Sequence, residues 1–141
     1  MEGKMAESRR ESLDRQIQAR ALALQYQDIE TAVDYKSTLE DLYYCKTAEV
    51  INPATKEFVQ EAMDDVTQRN PELHQTVSAS ARSNLLTALR TIQEMDKIRA
   101  ANDRFDNSNQ VRRLLAEAEI RRLSSMFPEL LDTIQDSDIE D

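Results

Sequence analysis

The sequence predicts an all-α protein, with long helices in a hairpin, elongated bundle or coiled coil, a short C-terminal helix and an acidic tail. Three observations carry this expectation. The 141 residues contain one glycine, Gly3, and three prolines, although tight turns between strands depend on those residue types. The remaining sequence is rich in Ala, Leu, Gln, Glu, Arg and Lys, which are good helix formers. Apolar residues recur at three- and four-residue spacings instead of alternating. A chain of this length is the size of one domain and can bury a modest core.

The expected organisation is a flexible N-terminus over residues 1–7, a helical domain over 8–125, and a short amphipathic helix with an acidic tail over 126–141. Within the domain, helices are expected at about 8–48, 53–69, 71–105 and 108–125. Ser8-Arg9-Arg10-Glu11 reads as a capping box, in which hydroxyl and carboxylate satisfy free backbone donors at a helix start. No breaker then appears before Asn52-Pro53. Leu13, Ile17, Ala21 and Leu24, then Leu22, Tyr26, Ile29 and Val33, then Ala32, Tyr35, Leu39 and Leu42 keep helical spacing on a face that drifts around the axis. One helix of that span would be roughly 60 Å long, which suits a hairpin arm or a coiled-coil partner.

Asn52-Pro53 and Asn70-Pro71 each read as an N-cap followed by proline at the first helical position, where its missing N–H is no loss. Between them Phe58, Val59, Ala62, Met63 and Val66 share one side. The next helix carries a packing seam of Val77, Ala81, Leu85, Ala88, Ile92 and Met95. Small residues over 78–81 would allow a neighbour to approach closely. Asp106-Asn107-Ser108-Asn109 reads as a loop, with Asn107 or Ser108 capping a helix that continues through Val111, Leu114, Leu115 and Ala118.

The ending MFPELLDTIQDSDIED poses the main question. Ile120, Leu123, Phe127, Leu130, Leu131 and Ile134 continue one apolar stripe almost in register across Pro128, which should break or kink the helix near Met126. Pro128-Glu129-Leu130 echoes Pro71-Glu72-Leu73, so both are expected helix starts. Two helical turns are too short to stand alone in water, so Phe127, Leu130, Leu131 and Ile134 must pack on something. They could complete the chain's own core, dock in another subunit's groove, or fold on meeting a coactivator-like partner. Beyond Gln135, residues 136–141 are expected to be mobile.

Chemistry is constrained largely by what is missing. A single glycine rules out a glycine-rich phosphate loop, and one histidine with one cysteine, His74 and Cys45, cannot form a His/Cys zinc site within one chain. Cys45 and His74 lie in helical patterns without a nucleophile signature, and Asp64 and Asp65 fall on an expected exposed face. No enzyme activity, metal or cofactor is predicted. The net charge of −9 opposes general nucleic-acid binding, which relies on basic contacts that release counterions. Residues 97–122 run against that trend with seven basic and four acidic side chains, and residues 123–141 have six acidic and none basic. The basic segment reads as a solvated face, or as a pairing surface for the tail or a partner helix. Ser12 and Ser124 follow Arg-Arg-x-Ser, and Ser137 precedes an acidic residue three positions on, so these serines are candidate phosphorylation sites.

No run of the ~20 apolar residues needed to span a bilayer occurs, and MEGKMAESRRESLDRQ does not resemble a signal peptide. The expectation is an intracellular protein, cytoplasmic or nuclear. Its expected role is that of a non-catalytic helical subunit or adaptor of a larger assembly. Its expected partners are other protein subunits held through helices, and homo-oligomers fit the same pattern. A transcriptional or chromatin regulator with an activation-like tail and a small acidic chaperone for a basic client are the alternatives.

Overall fold

The structure, a computed structural model, describes residues 2–48, 52–101 and 106–139, with side chains from residue 9 onward. Every regular element among the described residues is a helix. None is long and apolar enough to cross a membrane. The helices are α1 (Glu2–Gln25), α2 (Ala32–Lys46), α3 (Pro53–Arg69), α4 (Pro71–Ala101), α5 (Asn107–Met126), α6 (Glu129–Thr133) and α7 (Asp136–Ile139). They form two compact units, Met1–Thr76 and Val77–Asp141.

In the first unit α1, α2 and α3 pack on one another. The single helix expected over 8–48 is two helices, and the chain breaks between Gln25 and Ala32 without glycine or proline. Gln27 N–H bonds the Leu24 carbonyl (3.3 Å), which tightens the last turn of α1. Thr31 then caps α2, its hydroxyl accepting from the Asp34 N–H at 3.1 Å. Thr31-Ala32-Val33-Asp34 is itself a helix-start pattern, embedded in a run of otherwise continuous helical spacing. At the other end, α1 begins at Glu2, so residues 2–7 are helical and Ser8 lies inside the helix instead of capping it.

The inward face of α1 carries Asp14, Ala21 and Leu24, while Leu13 points outward. Asp14 reaches the start of α3. Its Oδ1 accepts from the Asn52 backbone N–H (3.0 Å), and its Oδ2 accepts from Thr55 Oγ1 (2.5 Å) and Asn52 Nδ2 (3.2 Å). Asn52 meanwhile caps α3 by accepting the Thr55 N–H at 2.9 Å. Gln18 Nε2 donates to Thr55 Oγ1 at 2.9 Å. A carboxylate at a helix N-terminus is also favoured by the backbone dipoles. Eleven residues further along α1, Gln25 Nε2 donates to Asp65 Oδ2 (3.0 Å) and Arg69 donates to the Gln25 carbonyl. These pairings hold α1 and α3 parallel. Arg20 of α1 pairs with Asp41 of α2 at 3.8 Å, and Tyr35 near the start of α2 meets Thr67 near the end of α3, so α2 runs the opposite way.

In the second unit the α4 residues Leu85, Ala88 and Met95 and the α5 residues Ala116 and Leu123 are buried. Asp96 meets Arg113 at 3.1 Å, whereas Ala88 lies by Ala116, so the two helices run antiparallel. Asp106, not Asn107 or Ser108, caps α5, its side chain accepting the Asn109 N–H at 2.9 Å. The end of the helix expected over 71–105 falls at residues 102–105, outside the described residues. Pro128 stands at the start of α6, and α6 packs on α5. In the segment 136–141, Asp136–Ile139 forms a helical turn, while residues 140 and 141 lie outside the described residues. Polar contacts meet this turn. Asp138 pairs with Arg82 at 3.4 Å, Arg90 donates to the Asp138 carbonyl at 2.8 Å, and Asp138 accepts the Gln135 N–H at 2.9 Å.

Two stability predictions follow from the first unit. Asp14→Ala would strip the acceptor from the buried Thr55 hydroxyl and from the backbone and side-chain donors of Asn52, and should destabilise the unit by about 2–4 kcal/mol. An exposed control, Asp28→Ala, should stay within about 0.5 kcal/mol of the parent in the same denaturant titration. Thr38 lies on the buried face of α2, and its hydroxyl has no hydrogen-bond partner among the described residues. Thr38→Val keeps the branched shape and removes that unsatisfied group, so it should raise stability by about 1 kcal/mol. A lower denaturation midpoint would show that the hydroxyl is satisfied in solution.

Candidate interaction surface on the fifth helix

The residues proposed for partner docking divide in the structure. Phe127 is 1% exposed and Leu130 is also buried, Ile134 is half-buried, and Leu131 is 45% exposed. Phe127 and Leu130 are buried within the chain's own fold. The four therefore do not form one displayed face: Phe127 at the end of α5 and Leu130 in α6 are turned inward, and Ile134 ends α6 in extended backbone. In the seam, Val77, Leu85 and Met95 are buried, with Ala81 and Ala88. Ile92 is only half-buried, since with Leu89 and Ile139 it lines an open groove of about 470 Å³. Ser12 and Ser137 are exposed. The Ser124 hydroxyl is buried without a hydrogen-bond partner among the described residues, so a kinase could reach it only after local opening.

A different apolar surface is open. On α5, Val111 is 53% exposed, Leu114 55% and Leu115 66%, and Ala118 is exposed as well. Their spacing of three, one and three places them on one side of the helix. Ala116 and Leu123, seven residues apart, mark the buried side. Ala118 is two residues from Ala116 and hence roughly 200° around the axis, which puts the open stripe opposite the core. The helix is apolar on two sides and buries one.

The charges around the stripe are sorted. Arg113 is held by Asp96 at 3.1 Å and also pairs with Glu117, and Arg122 pairs with Glu119 at 2.7 Å. The hydrogen bond from Arg113 to Asp96 leads the effects that push its already basic guanidinium further up. Arg112 and Arg121, on either flank of the stripe, are exposed. In the tail, Asp138 is engaged by Arg82 and Arg90 of α4. Beside Leu115 an open groove of about 340 Å³ runs between α4 and α5, with Ala88 and Ala116, Thr87 and Thr91 among its lining residues.

Cys45 and His74 are not brought together. His74 Nδ1 lies 2.5 Å from Tyr35 Oη, with the two rings edge to face. Cys45 is ten residues along α2 from Tyr35, roughly 15 Å of helix. Asp64 is exposed and bonded to Gln60, while Asp65 is engaged by Gln25 and Arg69. Among the described residues no three His, Cys, Asp or Glu side chains are grouped to hold a metal ion. Comparison with protein-family models, curated proteins and solved structures finds no match to this chain.

Burial pushes the Cys45 thiol above its usual range, with Arg20 drawing it down and Asp41 adding to the rise. The unfolded chain therefore loses this proton first as pH increases. Stability from the protonated thiol is fully present below the ordinary thiol range and is lost as pH rises through and beyond it. Unfolding free energy measured against pH should fall more steeply at alkaline pH for the parent than for Cys45→Ala. Parallel curves would place the thiol in contact with water.

Proposed function

We propose that the chain is a non-catalytic helical subunit or adaptor of a protein assembly, engaging its partner by helix packing on the outer face of α5. The observation that carries this reading is the exposed stripe Val111, Leu114, Leu115 and Ala118 opposite a face already committed to the core. Isolated exposed leucines are ordinary on protein surfaces. Adjacent ones at helical spacing, beside a groove with small residues in its lining, form a patch of the kind that marks an interaction site. An activation-like tail draws less support, since Phe127 and Leu130 are buried and Asp138 is clipped to α4.

The test separates surface from core. Replacing Leu114 and Leu115 together by Asp should leave helicity and melting nearly unchanged, because both positions face water. It should abolish co-purification of partners with the affinity-tagged full chain. Phe127→Ala removes a core ring and should cost about 3–5 kcal/mol of stability. Partners that still co-purify with the stable Leu114→Asp, Leu115→Asp variant would move the interaction away from α5.

A further inference from the structure

We propose that the occupant of the α5 face is an acidic amphipathic helix of another protein, laid along Val111 to Ala118 with carboxylates set against Arg112 and Arg121. This rests on the adaptor reading and adds the chemistry of the partner. The stripe spans seven residues of rise, about 10 Å, or two helical turns. That length suits one helix docked through side chains at i, i+3, i+4 and i+7. The groove between α4 and α5 is bordered by Ala88 and Ala116, whose small side chains leave room for an apolar side chain of the visitor beside Leu115.

Charge selects the sign of the visitor. Arg112 and Arg121 are nine residues apart, about 13.5 Å along the axis. No ion pair among the described residues engages either, while both acidic residues of α5, Glu117 and Glu119, are held by Arg113 and Arg122. The surface is therefore apolar with a basic border, on a chain whose net charge is −9. A second copy would bring the same arginines and the same occupied carboxylates, leaving Arg112 and Arg121 without a countercharge. An anionic lipid surface would meet the arginines but would also bring its phosphates against the carboxylate of Glu119 in the groove lining, and a flat headgroup layer does not fill a groove.

The experiment uses the full chain and labelled helix-forming peptides of about 18 residues, long enough to be partly helical alone. All carry leucines at i, i+3, i+4 and i+7, flanked by Glu, Gln or Lys. Fluorescence anisotropy should show the Glu-flanked peptide binding at least about tenfold more tightly than the Lys-flanked one, with the gap closing as salt is raised. Arg112→Glu with Arg121→Glu should reverse that order. Leu114→Asp with Leu115→Asp should abolish binding of all three at unchanged melting temperature. Equal affinities, no binding of the Glu-flanked peptide, binding to phosphatidylserine vesicles in preference to it, or a concentration-dependent dimer dissolved by Leu115→Asp would each overturn the proposal. If the peptide order fails while co-purification still depends on Leu114 and Leu115, the adaptor reading stands and the acidic helix falls. If co-purification is independent of those leucines, the adaptor reading fails with it.

Discussion

The arrangement of the first unit hangs on the carboxylate of Asp14. An ionised group placed at a buried position is costly unless its lone pairs are used. Here the Asn52 backbone, the Asn52 side chain and the Thr55 hydroxyl all donate to it, at the end of α3 where backbone N–H groups are unpaired. Those partners stand at one height on α3, so α1 can satisfy its buried charge in one register only. Sliding by a turn would leave the carboxylate, the Asn52 amide and the Thr55 hydroxyl without each other. Purely apolar packing of buried residues such as Ala21, Leu24 and Val59 discriminates among registers far less sharply, because hydrophobic attraction is not directional. The pairing of Gln25 with Asp65 and Arg69 near the far end of both helices then follows from the same alignment.

The second unit is organised by apolar phase instead of by a buried charge. One phase of α5 runs through Ala116, Leu123, Met126 and Phe127 and continues past Pro128 to Leu130, all buried. Proline lets the stripe turn a corner: it stops the helix, and the chain restarts in α6 with its apolar residue still directed inward. The tail's acidic end is then fastened by Arg82 and Arg90. Each contact is part-exposed and modest by itself, but Asp138 uses its side chain for Arg82 and for the Gln135 N–H, and its backbone carbonyl for Arg90.

The helical class was legible because one glycine in the chain excludes most alternatives and because the apolar spacing is three and four throughout. The Asn-Pro junctions were legible for a local reason, the capping chemistry of Asn and the tolerance of proline at a first turn. Harder to read was the stop between Gln25 and Ala32, where Thr31 and Asp34 make the start signal but nothing in the preceding residues breaks a helix. Packing decides that stop, since the chain must turn back there for α2 to pack on both α1 and α3. Asp14 was hidden for a related reason. Aligning it with Ile17, Ala21 and Leu24 places it on the inner face in place of Leu13, yet a charge there reads as a defect until its partners some forty residues away are known. The burial of Phe127 and Leu130 could not be separated from partner docking, because an amphipathic helix has the same pattern whichever surface covers it.

That ambiguity extends to α5, where it bears on function. Val111, Leu114, Leu115 and Ala118 satisfy the criterion for a packing face as well as Ala116, Leu123 and Phe127 do, and a single helix cannot give both to one core. What separates them is the continuation. The inner phase is extended by α6, so that burying it also buries the tail, whereas the outer phase ends at Arg121, a side chain that keeps its head in water. Committing the inner phase gains the larger continuous apolar area. The outer phase is what remains, two turns long and bordered by arginines, and its exposure is a consequence of how the tail folds.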